Sequence, residues 1–178
     1  MSDAIDLGKT VSVADSVIKF RRVVSDTDLR GKSFFAADDV CSNVQSVMGM
    51  PEFATTELWR TEHTPVDLVS ETVDPTAGPV ILNPPANGSV FRVVEFPPDS
   101  LVVASLPGKQ VSDMMHRTSS IDYAYVIEGE IFAVLDEDEK RLCQGDVMIQ
   151  RGTAHGWSNR SGKPSLVLFV MLGAKLPV

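Results

Sequence analysis

A chain of 178 residues is long enough for one domain with its own hydrophobic core. With 43% hydrophobic and 22% charged residues it has the composition of an ordinary globular protein, and no apolar run approaches the roughly 20 residues of a membrane span. Its net charge of −8, from 24 acidic and 16 basic residues, opposes phosphate backbones and anionic lipid, so neither nucleic acid nor membrane is expected as a partner.

The opening residues Met1-Ser2-Asp3-Ala4-Ile5-Asp6 lack the basic and apolar regions of a secretory signal, which points to the cytoplasm. Cys41 and Cys143 lie far apart, with no C-x-x-C spacing, and in that compartment both are expected as free thiols. Residues 11–24 mix apolar and basic side chains without a sustained helical period. Ser33-Phe34-Phe35 reads as a short strand, and residues 44–50 as one helical turn. Residues 1–50 are thus expected to form an N-terminal arm of strands and loops, laid on the body of the protein or on a partner.

A denser pattern runs through residues 51–178, expected as a single barrel domain. Residues 56–61 read as a strand, followed by a loop holding His63 and Pro65. Pro75, Gly78, Pro79, Pro84, Pro85 and Gly88 then force turns. Strands are predicted over residues 90–96, 101–105, 113–118, 122–127, 130–136, 140–143, 146–150, 155–159 and 166–172. Gly129, Gly145, Gly152 and Gly162 punctuate them, and Asp136-Glu137-Asp138-Glu139 supplies a charged hairpin tip. Many short strands with Gly and Pro turns, and no long amphipathic helix, indicate an all-β sandwich or barrel.

Histidine is scarce, and two of the three histidines sit in recognisable frames. The first frame runs Gly108, five residues, Met114, one residue, His116, five residues, Asp122, six residues, Gly129. The second runs Gly145-Asp146, then Gln150-Arg151-Gly152, two residues, His155, three residues, Asn159. Together these frames resemble the paired motifs of the cupin superfamily, G-x5-H-x-H-x(3,4)-E-x6-G and G-x5-P-x-G-x2-H-x3-N. Met115-His116-Arg117-Thr118, Ile121-Asp122-Tyr123, Glu128-Gly129-Glu130 and Gln150-Arg151-Gly152-Thr153 resemble, more narrowly, small single-domain cupins of the conserved-barrel type. Arg21-Arg22-Val23-Val24, Gly31-Lys32-Ser33 and Trp59-Arg60-Thr61 extend that resemblance over most of the chain.

The resemblance implies a double-stranded β-helix, the cupin jelly-roll barrel, with metal ligands at His116, Asp122 and His155. Met114 stands where the first histidine of the family pair would be. Asp122 replaces the glutamate, displaced by one residue, and Gln150 replaces the proline, one position nearer Gly145. Side-chain alternation supports the ligand set independently. On strands, Met114 and His116 share a face, as do Asp122, Ala124 and Val126, and as do His155, Trp157 and Asn159. If these faces turn inward, two imidazoles and one carboxylate converge, a set suited to iron, zinc, manganese or nickel.

Each singled-out residue also has a plainer reading. His63, among polar residues before a proline, reads as an exposed loop histidine. Arg92 shares a face with Val90, Val94 and Phe96, where it could clamp a substrate carboxylate or form a structural ion pair at a sheet edge. Trp157 and Trp59 read as pocket walls or core. Tyr123, Tyr125 and Ile127 form an apolar stripe opposite Asp122, which suggests packing against the arm or a homodimer. The leading expectation is a metal-dependent enzyme acting on a small organic molecule, a carboxylate-bearing one among the candidates. Met114, Gln150, Trp157 and Arg92 would shape its pocket, and oxygenase, isomerase, decarboxylase and lyase chemistry stay open. The alternative is a non-catalytic small-molecule-binding module, with or without metal.

Overall fold

In a computed structural model of the chain, residues 11–68, 74–106, 108 and 111–176 are described, so the first ten residues of the expected arm lie outside them. Among the described residues, the chain folds into three antiparallel sheets. β1 (Arg21–Thr27) and β2 (Ser33–Val40) form a two-stranded hairpin. The largest sheet takes β3 (Val44–Val47), β4 (Met50–Thr61), β5 (Ser89–Phe96), β6 (Ser120–Glu128), β9 (Val147–Arg151) and β11 (Ser165–Gly173), in the order β3-β4-β5-β11-β6-β9. The third sheet joins β7 (Glu130–Leu135), β8 (Glu139–Cys143) and β10 (His155–Ser158), in the order β10-β7-β8.

Alternation along the strands decides what goes inside. On β6, Asp122, Ala124 and Val126 are buried while Tyr123 and Tyr125 are exposed. Their buried cross-strand neighbours Val167, Phe169 and Met171 on β11 join Val90 of β5, and this inner face meets Ile131, Ala133 and Trp157 of the smaller sheet in one apolar cluster. Two antiparallel sheets closed around a shared core, with strand neighbours far apart in sequence, make an all-β double-stranded β-helix.

Three expected elements differ from the observed ones. Residues 44–50 are not a helical turn: β3 pairs with β4, and Met48 (φ 55) and Gly49 (φ 70) make the tight turn between them. Consecutive positive φ values match the twist of a two-residue hairpin, which outweighs the short run's helical propensity. Because β3 is an edge strand of the largest sheet, its pairing spans the expected boundary at residue 50.

Residues 101–105 are not a strand but belong to α1 (Asp99–Ser105). Pro97-Pro98 sets the helix start, and Val102 is buried with Leu101 and Leu106 packed against the core. Leu101, Val102 and Leu106, at spacings of one and four, fit one face of a helix and not an alternating strand. Residues 113–118 are likewise no strand. A 3-10 helical turn, Val111–Met114, leads to a single β-bridge at His116. Cys41 is buried, Cys143 is exposed, and both are free thiols. Among the described residues, no helix is long and apolar enough to cross a membrane.

Candidate functional site

The isolated bridge is the local device that brings the two histidines together. The backbone N–H of His116 donates to the carbonyl of His155 at 2.8 Å, and the N–H of His155 returns a 2.8 Å bond to the carbonyl of His116. Directly opposed residues of an antiparallel pair project to the same side. The two imidazoles accordingly lie with ring centroids 4.3 Å apart and planes inclined by 50°.

Each ring spends its Nδ1 on the protein. His116 Nδ1 lies 3.0 Å from the carbonyl of Met114, and His155 Nδ1 lies 2.9 Å from the carbonyl of Thr153. A carbonyl only accepts, so both rings donate from Nδ1, which places the ring lone pair on Nε2. Gln150 lies behind His155 rather than on the cavity wall. Its Nε2 comes within 2.5 Å of His155 Nδ1, a contact that would favour the opposite tautomer. The same amide nitrogen already donates to the carbonyl of Thr153 at 3.1 Å, and its Oε1 accepts from Gly152 N–H at 2.6 Å. One N–H of the amide is thus spent on Thr153, and the Nδ1–H of His155 shares that carbonyl as its acceptor. Gly152 holds φ 61 there, a conformation that disfavours side chains.

Burial lowers the pKa of both imidazoles. For His116 the neighbouring His155 lowers it further, against the Met114 carbonyl and Asp122; for His155 only the Thr153 carbonyl opposes burial. Both rings are thereby favoured neutral, the form that donates a lone pair.

Asp122 sits on β6 between Met171 of β11 and Gln150 of β9. It is 3% exposed, and its Oδ1 is buried without a hydrogen-bond partner. Burial raises the carboxyl pKa, opposed by the hydroxyls of Ser120 and Thr118 and by the charges of Arg92 and His116.

His116, Asp122 and His155 all line one cavity of about 120 Å³ between the two sheets. Met114 and Trp157, both expected at the pocket, line it too. Met114 reaches it from the end of a 3-10 turn rather than by strand alternation. Arg92 is also on the wall, but β5 is an interior strand and its guanidinium is engaged. Its Nε lies 2.9 Å from Glu57 Oε1, and one terminal nitrogen donates to the carbonyl of Ile81 at 2.6 Å. Arg92 therefore forms a buried ion pair in mid-sheet rather than at a sheet edge. Trp59 lies under the Arg22 guanidinium at 5.9 Å and does not reach the cavity, and His63 is exposed in a loop away from it.

The remaining wall was not foreseen from the sequence. Met48 comes from the β3–β4 turn, Phe53 and Thr55 from β4, Val80 and Leu82 from the proline-rich loop, and Phe169 from β11. The β4 residues are placed there by the pairing of β4 with β5, and the turn and loop residues by tertiary packing, neither of which a local pattern encodes. Among the described residues, no three His, Cys, Asp or Glu side chains are gathered closely enough to form a completed ion cage.

Residues 101–171 match the family described as "Cupin domain". The chain is 36% identical over 162 residues to "Phomopsin biosynthesis cluster protein C'" of Diaporthe leptostromiformis, covering 86% of this chain and 78% of the relative. It is 31% identical over 162 residues to "Cupin-domain-containing oxidoreductase virC" of Hypocrea virens, covering 86% of this chain and 76% of the relative. The solved structure of KdgF from Halomonas sp. is similar at a TM-score of 0.43 and 16% identity, covering 70% of this chain and 83% of that one.

Proposed function

Since the chain belongs to the cupin family, we propose that it is a metal-dependent enzyme of oxidoreductase type, holding one divalent ion through His116, Asp122 and His155 beside a small organic substrate. The observation that carries this reading is the donor set on one cavity wall: two imidazoles anchored through Nδ1, and a buried carboxylate oxygen with no partner. A buried acceptor left unsatisfied is unfavourable, and a cation or a ligand hydroxyl relieves it.

Two nitrogens and one carboxylate oxygen fit iron, zinc, manganese or nickel, with positions left for substrate. The three side chains share a cavity without being gathered into a cage, so holding an ion requires them to draw together. The unpartnered Oδ1 is the oxygen of Asp122 available to an ion, while the Ser120 and Thr118 hydroxyls support the carboxylate. When bound, the ion supplies Lewis-acid polarisation of a substrate oxygen or, as iron, chemistry with dioxygen. The chain supplies the rest. Thr153 and Met114 carbonyls fix the two ring tautomers, and Gln150 packs behind His155. Trp157, Phe169 and Met114 keep that end of the cavity dry, while Glu57 neutralises the charge of Arg92. Relatives named as cupin-domain-containing oxidoreductases support the reaction class. The reading keeps the cytoplasm as compartment, where Cys41 and Cys143 stay reduced.

A second reading, a metal-free binding protein, is favoured by Met114 at the position of the first family histidine. Elemental analysis of protein purified without chelators separates the two. Near-stoichiometric metal that disappears in His155→Ala, with an unchanged circular dichroism spectrum, is the expected result. No metal in either protein after reconstitution would overturn the metal site and leave the binding protein.

A further inference from the structure

The shape and chemistry of the cavity say more about its occupant than the ligand set does. Four aromatic rings form a continuous wall. Phe53 meets Phe96 at 5.5 Å, Phe96 meets Trp157 at 6.1 Å, and Trp157 meets Phe169 edge-on at 5.3 Å. His155 continues the series, 6.2 Å from Trp157 and nearly perpendicular to it at 81°. Aromatic rings stacked edge to face leave ring faces and edges for another ring to join.

Thioethers complete the wall. Met48, Met114 and Met171 all line the cavity, and sulfur against an aromatic ring is a favourable contact. The polar groups are His116, His155, Asp122, Thr118 and Thr55, with the Arg92 charge already matched by Glu57. The unpartnered Oδ1 of Asp122 accepts a hydrogen bond, so in the metal-free protein it matches a hydroxyl and repels a carboxylate. Size narrows the class further. An enclosed apolar cavity of about 150 Å³ holds one benzene; this one measures about 120 Å³ and is open on one side, which leaves room to bury about one ring with its substituent.

We infer that the cavity seats a single six-membered aromatic ring carrying an uncharged oxygen substituent, with the ring against the Phe96–Trp157–Phe169 wall and the oxygen toward His116, His155 and Asp122. This deepens the function proposed above by naming its substrate class. It rests on the cavity being the substrate site and is independent of the ion.

The test uses full-length protein stripped of metal and labelled with ¹³C at its methionine methyl groups. Three probes of nearly equal size are titrated: benzyl alcohol, cyclohexylmethanol and benzoate. Benzyl alcohol is expected to shift the Met48, Met114 and Met171 methyls by ring current while leaving Met115 and Met148, which do not line the cavity, in place. It should bind about tenfold more tightly than cyclohexylmethanol, the equivalent of one good aromatic pair, and benzoate should bind weakest. Leu82→Trp, which fills the cavity from a loop rather than from a strand, should abolish the shifts in a folded protein.

Equal or tighter binding of cyclohexylmethanol would overturn the aromatic selection, and tightest binding of benzoate would overturn the uncharged oxygen. Unmoved Met48, Met114 and Met171 methyls would overturn the inference altogether, even in a protein that holds metal. Shifted methyls in a protein that never takes up metal would sustain it while removing the metal-dependent enzyme.

Discussion

Glu57 and Arg92 are 3% and 6% exposed, a charge pair facing each other across buried β4 and β5. Burial raises the carboxyl pKa of Glu57, and the guanidinium beside it opposes that rise. Removing one partner leaves the other charge buried and unpaired, which is far worse than removing both. Arg92→Met is thus expected to destabilise the protein by about 3–5 kcal/mol, and the double change Arg92→Met with Glu57→Leu to recover most of that loss. Urea denaturation of the three proteins measures it; a single variant as stable as the wild type would show the pair to be idle. Arg92 was legible as an inward residue because it alternates with Val90, Val94 and Phe96. Glu57 was not, since only the β4–β5 register, with its irregularity between Glu57 and Trp59, sets the two opposite each other. His116, Asp122 and His155 were legible for a different reason: motif spacing marked them, and the structure sets all three on one cavity wall.

β6, β7, β9 and β11, each bounded by a glycine on at least one side, were readable to within two residues at each end. Short segments whose form depends on their neighbours were not. α1 and the 3-10 turn are each too brief to carry a period, and both are shaped by what they pack against. The proline-rich loop is another such segment, and it brings Val80 and Leu82 to the cavity. Gly173 lets that loop pass over the end of β11. A Cβ at position 173 would lie 2.2 Å from the Pro85 carbonyl oxygen and 2.5 Å from that of Ala86. Both obstacles are backbone, so nothing flexible can yield. Gly173→Ala is therefore expected to lower stability by about 1–3 kcal/mol, the range for overpacking. Chemical denaturation checks the value, and an unchanged midpoint would contradict so close a crossing.

At the scale of the molecule, the outer face of the largest sheet is the unusual feature. Phe91, Val170, Tyr123 and Ile149 lie side by side across β5, β11, β6 and β9, and Leu168, Tyr125 and Val147 form the adjacent row. Tyr123 is 44% exposed, Ile149 53% and Val147 66%. A contiguous apolar face of this kind is rare on a monomer, and a two-fold axis lets it cover itself. We propose a homodimer joined through this face. Light scattering should give twice the chain mass, and Tyr125→Glu should halve it without altering the circular dichroism spectrum. A monomeric wild-type mass would remove the proposal. The stripe of Tyr123 and Tyr125 was visible in the sequence, whereas its extension across four strands needed the sheet order, which no local pattern encodes.

The three thioethers around the cavity have a consequence of another kind. One oxygen atom added to Met48, Met114 or Met171 turns soft apolar wall into polar, chiral surface, and a reductase can take it off again. A reactive oxygen species set loose inside meets sulfur on several sides. If the pocket handles dioxygen as proposed, its misfires would be logged there in sulfoxides, and erasably.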